Sequence, residues 1–301
     1  MDRNLNSPGG TSLRNKGRAS HWRLRTRTLD LPRRPLVMGI VNVTPDSFSD
    51  GGRFHSEAAA IEHGLKLAAE GADLLDIGGE STRPYATPIS ADEELRRVLP
   101  VVRALCQQVS IPVSIDTSKA AVARAALAVG AEIINDVTGL TGDPEMIRTA
   151  VETAAAVCAM HIQGTPQTMQ DNPTYRDVVS EILEYLRQRR DALLAAGLDR
   201  ERLCLDPGVG FGKTHEHNIT LMANCWRYHE LGCPILVGHS RKGFIGKLIG
   251  DPAADRTAGT IGGACALAQQ GVQIIRVHDV APVRQALLLF DACGPDRARP
   301  V

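Results

Sequence analysis

The chain has 301 residues, 34 Lys plus Arg against 34 Asp plus Glu, and a hydrophobic fraction of 43%. Zero formal charge gives the body no global field to recruit nucleic acid, and no apolar run reaches the 18 residues that a membrane-spanning helix needs. With no n-region plus h-region at the start, the expectation is a soluble, cytoplasmic protein without a Sec signal.

Residues 1–35 carry nine Lys or Arg against two Asp and show no apolar period. They read as a basic, flexible arm, loosely docked at most, whose first 30 residues could be removed without loss of stability. Residues 36–292 repeat one grammar eight times: a short apolar run ends in polar residue types and passes into a Gly, Pro, Ser or Thr loop. The runs are 36–42, 74–77, 113–116, 133–136, 157–161, 203–206, 235–238 and 274–278. Continuous apolar runs of this length suit parallel strands buried on both faces. Segments of helical period lie between them, and Gly71, Gly130, Gly197, Gly232 and Gly271 stand where helices end. Eight strand-then-helix units predict a single-domain (β/α)8 TIM barrel over 36–292, followed by a tail at 293–301.

In chain order, the first strand opens into a long loop, 43–52, ending in Gly51-Gly52 and carrying Phe48. A second long loop follows residue 77 and holds Thr82, Arg83, Pro84 and Tyr85. Loops of this length exceed the usual short βα connection and read as substrate loops. The next helix carries a capping box, Ser90 with Glu93, and Asp143-Pro144 reads as the N-cap and first position of a later helix. Asp279 is placed to cap the last helix. Seven cysteines, odd in number and without C-x-x-C, fall mostly in apolar settings and predict reduced, packed thiols.

Every uncommon side chain lands at the carboxyl end of a strand, the face where barrels do chemistry. Asp116, Asn135 and Asp206 close three different strands. They are suited to the edge of a flat heterocycle, although each could instead cap a helix. Lys242 and Arg276 add positive charge where barrels bind phosphate, and His278 with Asp279 opens a helix, a second anion-friendly feature. Asn42 could hold a Mg²⁺ that keeps its waters, or merely form a turn. Residues 208–214 fail both the G-x-x-x-x-G-K-[ST] and G-x-G-x-x-G spacings, and His215 with His217 is a poor metal pair.

Residues 38–52, 76–84, 114–119, 135–136, 160–166, 206–213, 240–242 and 276–279, taken in order, resemble the dihydropteroate synthase family. The resemblance implies condensation of 6-hydroxymethyl-7,8-dihydropterin diphosphate with 4-aminobenzoate, with Mg²⁺, in a cytoplasmic homodimer that is a sulfonamide target. It implies that Asp116, Asn135, Met160, Asp206, Phe211, Gly238 and Lys242 hold the pterin. It assigns Asn42, Arg276 and His278 to diphosphate, with Asn42 on the metal, and Phe48, Thr82, Arg83, Pro84 and Ser240 to 4-aminobenzoate. Asp116, Asp206, Lys242 and Arg276 would be the catalytic set. Gly243 and Tyr85 depart from the family pattern beside the aminobenzoate site. A pterin-binding methyltransferase would share Asp116, Asn135 and Asp206 but has no use for loop 44–52 or Ser240-Arg241-Lys242. A non-catalytic pterin-binding paralogue is the other alternative.

Overall fold

The computed structural model describes residues 16–43 and 52–293, with backbone alone at 52–56. Its core is an eight-stranded parallel sheet. The strands are β3 (Leu36–Asn42), β4 (Leu74–Gly78), β5 (Val113–Asp116), β6 (Ile133–Asp136), β7 (Ala156–Met160), β8 (Leu203–Asp206), β9 (Leu236–Val237) and β10 (Ile274–Val277). Neighbours run β8-β7-β6-β5-β4-β3-β10-β9, and a parallel bridge from Leu205 to Ile235 joins the two ends into a barrel. The eight runs expected from sequence are these eight strands, the seventh cut to two residues.

Helices α1 (Gly52–Ala69), α2 (Ala91–Gln108), α3 (Ala120–Ala128), α4 (Met146–Thr153), α5 (Val178–Ala195), α6 (His215–Ala223), α7 (Gly243–Ile249), α8 (Thr257–Gln269) and α9 (Val280–Ala292) form the outer layer. Alternation along each strand separates two cores. Val37, Leu75, Ile77, Ile115, Ile134, Leu203, Leu205, Val237, Ile275 and Val277 face the helices. Met38, Leu74, Ile133, Ala156, Cys158, Cys204, Leu236 and Ile274 fill the barrel.

Two local expectations are corrected and a third is extended. Ser90 Oγ accepts from the Glu93 amide at 3.2 Å, but the Glu93 carboxylate pairs with Arg97 at 2.8 Å, so only half of a capping box forms. Asp143 serves two helices: its Oδ1 accepts from Glu145 N at 2.9 Å in the turn that leads into α4, as expected, and its Oδ2 accepts from Ala120 N at 2.8 Å at the start of α3. Asp279 makes no side-chain cap for α9, because Arg241 Nε holds it at 2.8 Å.

The arm is the larger correction. Residues 1–15 lie outside the described residues, but 16–35 are built into the fold. β1 (His21–Arg23) and β2 (Thr28–Asp30) pair antiparallel, and Trp22, Leu24 and Leu31 join the interior cluster at the amino ends of the strands. Trp22 has 0% exposure and donates Nε1–H to Arg202 O at 3.0 Å. Thr26 donates N–H and Oγ–H to the buried Glu132 carboxylate at 3.0 and 2.7 Å. The hairpin is the floor of the barrel.

Candidate active site at the mouth of the barrel

Parity decides which polar side chains enter the barrel. Leu74, Ile133, Cys204 and Ile274 face inward, so Asp76, Asn135, Asp206 and Arg276, two residues later on the same strands, do as well. Ser114 and Asp116 follow on β5, where Val113 and Ile115 face the helices. The outcome is an apolar interior near the hairpin and a polar interior near the mouth.

Three of the expected residues form one network, and it includes a member the sequence reading did not single out. Arg276 donates Nε–H to Asp76 Oδ2 at 2.6 Å and Nη2–H to Asp116 Oδ2 at 2.7 Å. Asn135 donates Nδ2–H to the same Asp76 Oδ2 at 2.9 Å. Burial pushes the Asp116 carboxyl up to about 7, against the pull of Arg276 and with the neighbouring Asp76 adding to the rise. Burial opposes the Arg276 charge, but Asp76 and Asp116 outweigh it and hold the guanidinium above its ordinary range. Among the described residues Arg276 therefore lies on carboxylates, with Nη1 the part of its fork that no protein acceptor takes up.

Asp206 ends β8 beneath the glycine-rich loop. Its Oδ1 accepts from Gly208 N at 2.7 Å, and burial raises its carboxyl while that amide, Lys242 and Lys213 pull it down. Gly208 sits at φ +69, and a Cβ there would stand 1.9 Å from His161 O. The loop can lie on the end of β7 only because it lacks that side chain. Lys213 folds under the same loop at 2% exposure, its Nζ donating to Phe211 O at 2.7 Å and lying 3.0 Å from His161 Nδ1. Burial, then the nearby Lys213, hold the His161 imidazole down at about 2, so it stays neutral and accepts from the amine.

Lys242 stands at the start of α7. Its Nζ donates to Val209 O and lies 4.4 Å from the centre of the Phe211 ring. Burial pushes this amine down to about 7, with Asp206 opposing. Met160 ends β7 at 4% exposure, the register partner of Asp206. Ser240 is tied to His278: its Oγ accepts from His278 N at 3.2 Å and shares a hydrogen bond with Nδ1 at 3.0 Å. Burial, then Arg276 and Arg241, push the His278 imidazole down to about 4, leaving it neutral.

Thr82, Arg83 and Pro84 lie on the loop between β4 and α2, and this loop is anchored at its start and at its tip. Glu80 pairs with Lys119 at 2.6 Å, which also pairs with the fully buried Glu94 at 2.6 Å. At the tip, Tyr85 takes the left-handed conformation (φ +64), donates N–H to Pro166 O at 3.1 Å and Oη–H to Asp171 at 3.2 Å. Asn42 ends β3, half-buried, opposite Gly78, and Gly238 lies just past β9. Phe48 lies outside the described residues.

A family model described as "Pterin binding enzyme" matches residues 38–278, most of the chain and every described residue of this site. The chain belongs to the pterin-binding enzyme family. Within it, the dihydropteroate synthase of Escherichia coli strain K12 is 46% identical over 265 residues, spanning 88% of this chain and 93% of that protein. The structure of dihydropteroate synthase from Xanthomonas albilineans with 4-aminobenzoic acid matches with a TM-score of 0.85 at 47% identity, covering 91% of this chain and 98% of that one. The Xanthomonas albilineans enzyme in complex with 7,8-dihydropteroate matches with a TM-score of 0.81 at 45% identity, over 90% and 98% of the two chains. The pterin-binding match begins after the hairpin, whose residues stop at Asp30.

Proposed function

We propose that this chain is a dihydropteroate synthase, condensing 6-hydroxymethyl-7,8-dihydropterin diphosphate with 4-aminobenzoate to give 7,8-dihydropteroate and diphosphate. The observation that carries the reading is the pairing, in one barrel mouth, of a heterocycle subsite with an anion subsite. Asp206 supplies acceptors for ring N–H groups, and Lys242 above Phe211 supplies a donor beside an aromatic face. Arg276 and the neutral His278 lie on the next strand end, suited to a diphosphate through the free Nη1 and the imidazole.

The chemistry asks little of a general base: the bond from the methylene to diphosphate breaks, the arylamine nitrogen bonds to the methylene, and the proton it then sheds passes to the departing diphosphate or to water. An arylamine nitrogen is a neutral nucleophile at pH 7, so the difficult step is departure of diphosphate from a methylene on an electron-rich ring. That SN1-like step develops positive charge on the pterin, which Asp206 and Asp116 stabilise from fixed positions, and negative charge on the leaving oxygens, which Arg276 and His278 meet. Thr82, Arg83, Pro84 and Phe48 would shape the aminobenzoate pocket, and Ser240 would hold His278 in place.

Asn42 fits a magnesium ion. Its amide enters no hydrogen bond among the described residues, and no group of three His, Cys, Asp or Glu among them could hold a metal alone. Mg²⁺ is commonly bound by one or two protein oxygens with substrate phosphates and water completing the shell. When bound, the ion would neutralise charge on the diphosphate.

A cytoplasmic location belongs to the same reading; all seven cysteines are unpaired, which suits a reducing compartment. So does a homodimer, to which exposed Leu248, Ile249, Leu288 and Leu289 would offer apolar surface. The test is an assay of the purified chain with both substrates and Mg²⁺, following dihydropteroate. Product that disappears on chelation is the expected result, and a folded protein that forms none refutes it.

A further inference from the structure

Asp76 lies in the middle of β4, is fully buried, and is the point where the pterin-side network converges. One of its oxygens, Oδ2, takes both Asn135 Nδ2–H and Arg276 Nε–H, at 2.9 and 2.6 Å. The other, Oδ1, has no partner among the described residues, and neither has the buried hydroxyl of Ser114, its register neighbour on β5. A carboxylate kept in such a place must do more than fill space, because a buried charge without enough donors is costly.

An ionised carboxylate can only accept hydrogen bonds, so Asn135 must turn its amino end toward Asp76. Its carbonyl oxygen is then the end left for a ligand, an acceptor for a ring N–H or amino group. Without Asp76 the two amide orientations become interchangeable, and one of them presents a donor to a donor. The same oxygen holds Arg276 by Nε, with Nη2 on Asp116 and Nη1 taken up by no acceptor among the described residues.

We propose that Asp76 is a positioning residue for the pterin, setting through one oxygen the amide orientation of Asn135 and the placement of the Arg276 guanidinium. This rests on the pterin-binding reading above. The competing role is that of a plain counter-ion to Arg276, in which case Asp76 and Asn135 act independently.

The experiment measures KM for each substrate, and pterin affinity by calorimetry, in Asp76→Val, Asp76→Asn, Asn135→Ala and the two double variants, with melting curves as the check on folding. Asp76→Val removes the acceptor and should raise KM for pterin diphosphate about ten- to a hundredfold, leaving KM for 4-aminobenzoate within about twofold. Asp76→Asn keeps an oxygen in place and drops the charge, so its rise should be smaller, about three- to tenfold. Both rises should shrink sharply in the Asn135→Ala background, since a residue acting through another loses its effect when that other is gone. If Asp76→Val does not fold, Asp76→Asn with Asn135→Ala makes the same comparison. Effects that multiply independently, or an unchanged pterin KM, overturn the proposal. If the parent chain forms no dihydropteroate, the function reading fails, while the calorimetric cycle still decides the role of Asp76.

Discussion

Replacing Trp22 by Ala should lower the melting temperature by roughly 6–20 °C while leaving turnover at 25 °C unchanged. Trp22 has 0% exposure inside the barrel floor and donates to Arg202 O at 3.0 Å. A buried Trp removes about 150–250 Å² from water, about 4–6 kcal/mol at 25 cal/mol per Å². Alanine recovers part of that, and truncations of this kind in cores cost about 3–5 kcal/mol. A chain of this size moves about 2–4 °C per kcal/mol, which gives the range stated. Differential scanning calorimetry at one pH, with kcat and both KM values measured well below the transition, is the assay. The hairpin sits at the amino ends of the strands and the site at the carboxyl ends, so activity should survive. A fall of less than about 3 °C would refute the idea that residues 16–35 complete the core.

Asp206→Asn should weaken pterin binding by about 2–3 kcal/mol, since an amide offers one acceptor where the carboxylate offers two; equal affinity by calorimetry would remove Asp206 from the site. The pH profile of kcat/KM for pterin diphosphate should be a narrow bell near neutrality. With the Asp116 carboxyl pushed up to about 7, the anion forms only as pH rises through that value, and with Lys242 pushed down to about 7, its cation is lost over the same interval. A flat profile from pH 5.5 to 9 would show that neither group matters in the free enzyme. Substrates should add in order, pterin diphosphate first, because the heterocycle subsite stands on strand ends; equal affinity of 4-aminobenzoate for free protein and for protein with Mg²⁺ and diphosphate would show its pocket preformed. The anchored loop with Thr82 to Pro84 narrows the source of any such order, since Glu80 already holds its start and Tyr85 its tip.

The barrel was legible because buried parallel strands must be apolar on both faces and their loops must turn sharply, and both habits leave marks in sequence. Asp116, Asn135 and Asp206 were visible for the same reason: polar residues closing an apolar run stand out. Asp76 escaped because attention to strand ends passes over strand middles. Parity would have found it, since Leu74 and Asp76 point the same way and Leu75 and Ile77 the other, and a carboxylate facing the inside of a barrel needs a cation across from it. Lys213 escaped for a different reason. It follows a glycine-rich loop of the wrong spacing for phosphate, and nothing local reveals that its stem turns inward to meet His161. Tyr85 was noticed only as a departure from family pattern; its positive φ and its bond to Asp171 depend on a loop eighty residues away.

The arm shows how composition can mislead in a physically instructive way. Nine cations in 35 residues suggested solvation, but in a (β/α)8 barrel every helix runs back against its strand, so helix carboxyl ends ring the face that the hairpin covers. Those ends expose carbonyl oxygens and carry the negative pole of the helix dipole. Arg18 donates to Gly271 O just past α8 at 2.8 Å, Arg25 to Leu127 O in the last turn of α3 at 2.7 Å, and Arg27 to Ser110 O just past α2 at 2.6 Å. Arg202, from the barrel itself, reaches both Leu24 O in the hairpin and Ala154 O after α4. Positive charge in this segment is therefore matched to a ring of carbonyls that no local reading of the sequence can see, and Trp22, Leu24 and Leu31, with Ala19 and Leu29 beside them, suffice for its apolar side because the barrel supplies the rest.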